Sequence, residues 1–389
     1  MTLMPVEAAR NSILAGVRPL SFELVNLESA HLRVLARDLL AKRDQPPFAA
    51  SAMDGYAVNS ADTETIGSEL KVIGISAAGH AFRGTLGKRE VVRIFTGAPV
   101  PNGADTVLVQ ENAVASAGSI RTTAVTRPGQ HIRPLGLDFK KGELVLRAGR
   151  LLGARDIGLA ASMNYPKIAV RRQPIVALLA TGDELVDPGL SPRRDQIISS
   201  NTHALSAFVR WAGAVPLIIG TVADDRMAIR SAIRRARRAD VLIITGGASV
   251  GEHDLVKSAL ESEGIRITFW KIAMRPGKPL LFAVRKNQRI LGLPGNPVSA
   301  LVCARIFLKP LIDRLLGKAL EDVTLTARLG VSMRANDERQ EYARASLVRK
   351  DDGSLIASPY PSQDSSMLRV LAGADCLIVR PPHARAAAL

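Results

Sequence analysis

Ile175-Val176-Ala177-Leu178-Leu179-Ala180 runs straight into Thr181-Gly182-Asp183-Glu184. Two later stretches repeat the pattern. Val241-Leu242-Ile243-Ile244 enters Thr245-Gly246-Gly247-Ala248-Ser249-Val250-Gly251-Glu252-His253-Asp254, and Arg289-Ile290-Leu291-Gly292-Leu293 enters Pro294-Gly295-Asn296-Pro297. Continuous apolar runs of this length read as buried parallel strands, and ligands collect at the carboxyl ends of such strands. Glycine lets backbone amides approach a ligand. The helix that follows each turn offers free N–H groups to an anion. The block from about Pro174 to Asp313 therefore reads as a site for a phosphorylated small molecule.

Working outward, the helix Thr202–Ala212 leads to a strand Val215–Gly220, and Asp224-Asp225 caps a basic helix that runs through Arg238. A helix His253–Glu263, a strand Ile265–Ile272 and a hairpin of Leu280–Val284 with Arg289–Leu293 come next. A helix Val298–Leu316 closes the block. Upstream, residues 70–146 read as β, with strands at Lys71–Ile75, Val91–Phe95, Thr106–Gln110, Ile120–Val125 and Leu144–Leu146. Residues 3–44 read as helical, with one helix up to Pro19 and a second over Leu27–Leu40. Arg155–Ser162 is a short helix. After Ala319, short alternating segments at Val323–Leu329, Tyr342–Val348, Leu355–Ala357 and Cys376–Arg380 read as a small all-β domain.

Composition bounds the function. The chain has 389 residues, enough for two to three domains or more at roughly 150 residues each. With 47% hydrophobic residues it has ample core. At 4% aromatics it lacks the stacking platform of a single-strand nucleic-acid binder. Cys303 and Cys376 sit in apolar surroundings without metal-ligand spacing, and the 6 histidines are scattered. The net charge of +16 is spread along the chain, densest at Arg230, Arg234, Arg235, Arg237 and Arg238, which encircle a helix as a solvated surface. The expectation is no nucleic-acid partner, no membrane span and a cytoplasmic location.

The block collects carboxylates (Asp183, Glu184, Asp254) and cations (Lys271, Arg275, Lys278) around its glycine turns. Carboxylates can hold Mg²⁺ beside phosphates, and Lys or Arg can hold an oxyanion. Each of these charges serves equally well as a helix cap or a loop end. There is no Walker A motif and no triad spacing. The residues alone point to metal-assisted chemistry on an anionic or nucleotide-linked ligand.

Six segments carry a more specific signal in their order. They are Ser51-Ala52-Met53-Asp54-Gly55-Tyr56-Ala57-Val58, Thr96-Gly97-Ala98-Pro99-Val100-Pro101, Thr181-Gly182-Asp183-Glu184-Leu185, the loop 246–254, Arg275-Pro276-Gly277-Lys278-Pro279 and Gly292-Leu293-Pro294-Gly295-Asn296-Pro297-Val298-Ser299-Ala300. Together they closely resemble the molybdopterin molybdenumtransferases, the MoeA family, which includes the C-terminal domain of gephyrin.

The resemblance implies an α/β multidomain, elongated subunit. Its parts would be a discontinuous helical linker domain (1–45 plus 139–172), an inserted mainly-β domain (46–138), a three-layer α/β molybdopterin-binding domain (173–318) and a C-terminal β-barrel (319–389). It implies a homodimer that inserts molybdate into adenylylated molybdopterin with Mg²⁺, releasing AMP, and a molybdopterin adenylyltransferase as substrate donor. Asp54, Thr96, Asp138, Glu184, Asp254, Lys271, Arg275 and Lys278 would be catalytic, with Asp54, Asp138 and Glu184 as metal ligands. Thr181, Gly182, Asp183, Ser200, Asn201, Gly246, Gly247, Ser249, Gly251, Pro276, Gly277, Pro294 and Ser365 would bind the pterin nucleotide. The chain departs from the family pattern at Ala49, Leu137 and Asp364. A non-catalytic molybdopterin-binding scaffold is the alternative.

Overall fold

The computed structural model describes residues 3–246, 255–319 and 324–388. The chain divides into two compact units, Met1–Glu23 with Leu32–Ala36 and Val170–Leu389, and Leu24–His31 with Arg37–Ala169.

The first unit is built on a six-stranded sheet. Its elements are β1 (Ile175–Thr181), α1 (Asn201–Trp211), β2 (Val215–Val222), α2 (Arg226–Arg235), β3 (Val241–Thr245), α3 (Leu255–Ser262), β4 (Arg266–Lys271), β5 (Pro279–Arg285) and β6 (Gln288–Leu293). The spatial order is β2-β1-β3-β6-β5-β4. β1 is parallel to β2 and β3, and β3 is parallel to β6, so the three apolar runs are parallel strands, as expected, and lie side by side. The β5–β6 hairpin then reverses the direction, and β4 is antiparallel to β5.

Each run looks uniform in sequence, but its side chains alternate between two cores. Val176, Leu178, Ile243, Leu291 and Leu293 pack with Leu205 and Val209 of α1 and with Val298, Phe307 and Leu311. Ala177, Leu179, Leu242, Ile244 and Ile290 pack with Ile229 and Ile233 of α2 and with Val256 and Leu260 of α3. Both faces are covered, which makes a three-layer α/β sandwich. Burying each of these aliphatic side chains contributes about 1.5–3 kcal/mol.

The helix expected over Val298–Leu316 forms with an interruption. Pro297–Cys303 and Lys309–Leu316 are α-helical, and Ala304–Leu308 is a π-turn. Pro310 has no N–H to offer the carbonyl four residues back, and a wider turn just before it accommodates that gap.

The helix expected over Leu27–Leu40 does not form. The segment holds one 3-10 turn, Leu27–Ser29, and a short strand, Leu39–Leu40. Its leucines share no face: Leu35 and Leu39 are buried, whereas Leu32 and Leu40 are exposed. Leu32 has φ +59°, which no helix permits. Arg33 is drawn instead to the Glu23 carboxylate and the Arg171 carbonyl. Val6–Leu14 is a helix as expected, with Ala9 and Ile13 in the first core.

Beyond residue 324, Gln340–Arg349 pairs with Leu355–Pro359 and Cys376–Arg380, and also with Met274–Arg275 of the α/β block. Leu355–Pro359 pairs in turn with Arg328–Leu329. The strand expected at Val323–Leu329 thus narrows to its last two residues, and Val323 lies outside the described residues. A short helix, Leu368–Ala372, was not expected.

The second unit holds a six-stranded sheet in the order Thr106–Val109, Gly55–Val58, Glu90–Ile94, Glu69–Ser76, Ser119–Thr122 and Ala113–Ser116. The strands expected here all form within a few residues of their predicted bounds.

Candidate functional site

In the order β2-β1-β3, the chain leaves β1 for one neighbour and returns on the other side, so the topological switch point lies between β1 and β3. A doubly wound sheet opens its ligand crevice there, at the carboxyl ends. β1 ends at Thr181 and β3 at Thr245, in register one residue apart. Gly246 follows with φ +84°, and a Cβ on it would lie 2.1 Å from the Thr181 carbonyl oxygen. Only glycine lets the two strand ends close up in this way. At Gly182, a Cβ would collide with the Glu184 carboxylate, which folds back over the glycine with Oε2 2.5 Å from that position. Thr181 is buried. Its Oγ1 faces the Asp224 carboxyl but makes no hydrogen bond of good geometry among the described residues.

Three carboxylates gather here. Asp183 Oδ1 accepts from the Asp224 N–H at 3.1 Å. Partial burial, then repulsion from Asp183 and Glu184, raises the Asp224 carboxyl above its ordinary range. None of the three forms an ion pair among the described residues. Asp224 was missed as a site residue because Asp224-Asp225 reads as a helix cap. Only Asp225 caps α2, accepting from Ala228 N–H at 2.8 Å, which leaves Asp224 facing the crevice.

A short parallel pair, Leu185–Val186 with Ile197–Ile198, carries the chain back to Ser200 and Asn201 at the start of α1. Asn201 Nδ2 donates to the Gly295 carbonyl at 2.6 Å, which ties α1 to the turn after β6. Asn201 Oδ1 is buried without a partner among the described residues. On the other side of that turn, Asn296 Nδ2 donates to Ser365 Oγ at 2.7 Å and Val298 N–H donates to Ser365 O at 3.2 Å. Ser365 thus reaches the block from the C-terminal region, as expected. At the helix N-terminus after Pro294, Pro297 has no N–H to offer and Ser365 O takes the next one.

The expected cations divide. Lys271 ends β4, and Lys278 is exposed. Neither forms an ion pair among the described residues. Arg275 is engaged elsewhere. Its guanidinium pairs with Glu341 at 2.9 Å and Asp337 at 3.4 Å, and donates to Asn336 Oδ1 at 3.1 Å. Arg339 first, helped by Arg275, holds the Asp337 carboxyl down to about 2. In this structure Arg275 anchors the C-terminal sheet. Between them, the Arg275–Pro276 peptide is cis. Gly277 is buried, and a Cβ there would lie 2.6 Å from Cys303 Sγ. Burial pushes the Cys303 thiol up to about 12, so it is no nucleophile.

In the second unit, Gly55 lies against the backbone of the neighbouring strand, where a Cβ would be 2.0 Å from the Leu108 carbonyl oxygen. Asp54 immediately precedes the strand Gly55–Val58. Its Oδ1 accepts from Thr96 N–H at 2.7 Å and Thr96 Oγ1 at 2.8 Å. These bonds, the backbone one first, hold the carboxyl below its ordinary value. Thr96 thus fixes one carboxylate oxygen of Asp54, and the other has no hydrogen-bond partner among the described residues. Asp138 has its backbone N–H on Gln45 O at 2.8 Å and an exposed side chain. Among the described residues, no group of three or more His, Cys, Asp or Glu side chains is arranged to hold a metal ion.

Family models match three successive regions: the MoeA N-terminal region, domains I and II, over residues 4–164; a probable molybdopterin binding domain over 177–314; and the MoeA C-terminal region, domain IV, over 326–388. The molybdopterin molybdenumtransferase of Haemophilus influenzae is 33% identical, covering 97% of this chain and 94% of that protein. The chain belongs to the molybdopterin molybdenumtransferase family. It is thus an enzyme of the transferase class. The corresponding protein of Nostoc is 36% identical over 92% of this chain and 85% of its own length. The molybdopterin biosynthesis MoeA protein from Pyrococcus horikosii superimposes with a TM-score of 0.87 at 30% identity, covering 99% of this chain and 96% of that one.

Gly247, Ser249, Gly251 and Asp254, expected to line the molybdenumtransferase site, lie outside the described residues. Of the departures from the family pattern, Asp364 has a clear local role. Its Oδ1 accepts from Ser366 N–H at 2.8 Å and Ser366 Oγ at 2.6 Å, turning away from Ser365.

Proposed function

We propose that this transferase inserts molybdate into adenylylated molybdopterin in the presence of Mg²⁺ and releases AMP. The observation that carries the reading is the β1/β3 switch point: two glycine-bounded strand ends, unpaired carboxylates and orphaned polar atoms, in a chain of this family. Thr181, Gly182, Gly246, Asn201 and the Pro294–Asn296 turn would line the pterin nucleotide. Lys271 and Lys278 would hold phosphate or molybdate oxygens. Asp54, fixed by Thr96, would orient the water that cleaves the phosphoanhydride, accepting its proton as AMP leaves.

The residues fit Mg²⁺. Asp183, Glu184 and Asp224 repel one another, and Mg²⁺ usually takes one or two protein carboxylates and completes its shell with phosphate oxygens and water. Glu184, with Asp54 or Asp138 of a second subunit, would hold the ion. Bound there, it would offset phosphate charge. The reading includes a homodimer, a molybdopterin adenylyltransferase as donor and a cytoplasmic setting. No helix among the described residues is long and apolar enough to cross a membrane.

The test is AMP release from adenylylated molybdopterin by purified protein, with molybdate and Mg²⁺ each present or absent. Release that needs both is expected. Tight binding without release would favour a scaffold. Shared sites have a second signature: mixing inactive Asp54→Ala and Glu184→Ala chains should restore roughly a quarter of the activity, because a mixed two-fold dimer keeps one intact site. No recovery after subunit exchange would place both residues in one chain's site.

A further inference from the structure

Arg344 is the largest fully buried side chain among the described residues, at 0% exposure. It lies on the strand Gln340–Arg349. Apolar side chains of similar volume often replace a buried guanidinium without loss of stability, so its presence asks for a purpose. Its N–H groups reach one segment. Nε and the backbone N–H donate to Gln363 Oε1 at 3.0 and 2.9 Å, and a terminal nitrogen donates to Asp364 O at 2.8 Å. Gln363 Nε2 answers by donating to Arg344 O and Tyr360 O, both at 2.9 Å. The other terminal nitrogen has no partner among the described residues. Burial pulls the guanidinium below its ordinary range, and the Asp364 charge opposes that pull.

The residue after this clamp is Ser365, which holds both Asn296 Nδ2 and Val298 N–H. The same turn is gripped from its other side by Asn201. We infer that Arg344 is a positioning residue for the crevice: through Gln363 and the Asp364 carbonyl it sets Ser365 against the Asn296–Val298 turn before substrate arrives. This rests on the molybdopterin reading given above. A turn held in its bound form costs less ordering when the ligand docks, so the benefit falls on affinity.

The experiment titrates adenylylated molybdopterin into wild type, Arg344→Met, Ser365→Ala and the double variant, with melting curves to confirm folding. Each single change is expected to weaken binding about tenfold, equivalent to about 1.4 kcal/mol. The double variant should also lose only about tenfold, since both remove one device. For Arg344→Met, AMP-release kinetics should place the loss in KM and leave kcat within about twofold. Gln363→Met should reproduce the effect and serves as the second route if Arg344→Met does not fold. A roughly hundredfold loss in the double variant, or wild-type binding by Ser365→Ala, would overturn the positioning role while the functional reading stands. A wild-type protein that binds no adenylylated molybdopterin would overturn the functional reading itself.

Discussion

The two ends of the central sheet treat charge in opposite ways. At the amino end, Asp240 and Glu263 each have a cation. Arg172 grips Asp240 with two nitrogens, at 2.8 and 3.0 Å, and Asp240 also accepts from Ile175 N–H at 2.8 Å. Arg234 and Arg230 hold Glu263 and keep its carboxyl below its ordinary range. At the carboxyl end, Asp183, Glu184 and Asp224 face one another without a cation among the described residues, and Asp224 is pushed upward. Paired charges fix a fold. Unpaired like charges held together cost stability, and on the proposed function they mark a place kept for a ligand. The contrast separates structural from functional acids where residue type alone does not.

Breaking the carboxyl end should cost activity and leave the fold. Glu184→Ala is expected to lower AMP release by roughly 100-fold or more, as is Asp54→Ala in the second unit, in the range of a lost general base or charge stabiliser, with the fold retained. An active variant of either kind would remove that residue from the site. Gly246→Ala is expected to lose both binding and stability, since its Cβ would meet a backbone carbonyl oxygen at 2.1 Å. A fully active, equally stable Gly246→Ala protein would show that the strand ends need not close.

Breaking the amino end should do the reverse. Arg172→Ala strands Asp240, whose side chain is 17% exposed. A loss of about 2 kcal/mol is expected in denaturant unfolding, somewhat less than for fully buried pairs, with AMP release per folded molecule unchanged. Activity lost in step with stability would erase the distinction between the two ends.

The smallest effect concerns pH. A carboxyl raised in the folded state stabilises the protein while protonated, and that contribution is lost as pH rises through the folded value. Asp224→Asn should therefore raise stability near neutral pH, by no more than about 0.5 kcal/mol because the group, though partly buried by its neighbours, stays mostly open to solvent. The gain should vanish below the ordinary aspartate value of 3.8. Mg²⁺ should raise the melting temperature of wild type more than that of Asp224→Asn. Equal Mg²⁺ responses would place the ion away from Asp224.

The sequence was most legible where local pattern and tertiary structure agree. Three apolar runs with glycine exits predicted the parallel strands and the turns at their ends. It was least legible where a partner lies far along the chain. Nothing near Arg275 announces that Glu341, Asp337 and Asn336 will take its guanidinium, and nothing in Tyr342–Val348 announces that Arg344 is buried. The leucines of residues 27–40 had helical spacing but no shared buried face, so tertiary contacts decided against a helix. Asp224 stayed hidden because a cap explained the doublet it belongs to.

The most direct test is amide hydrogen exchange with and without adenylylated molybdopterin and Mg²⁺. Protection is expected at Thr181–Leu185 and at Asn296–Ser299, with none at Ala239–Asp240 on the opposite edge. Protection centred on the amino end, or none at either end, would contradict the assignment of the unpaired carboxylates to the substrate.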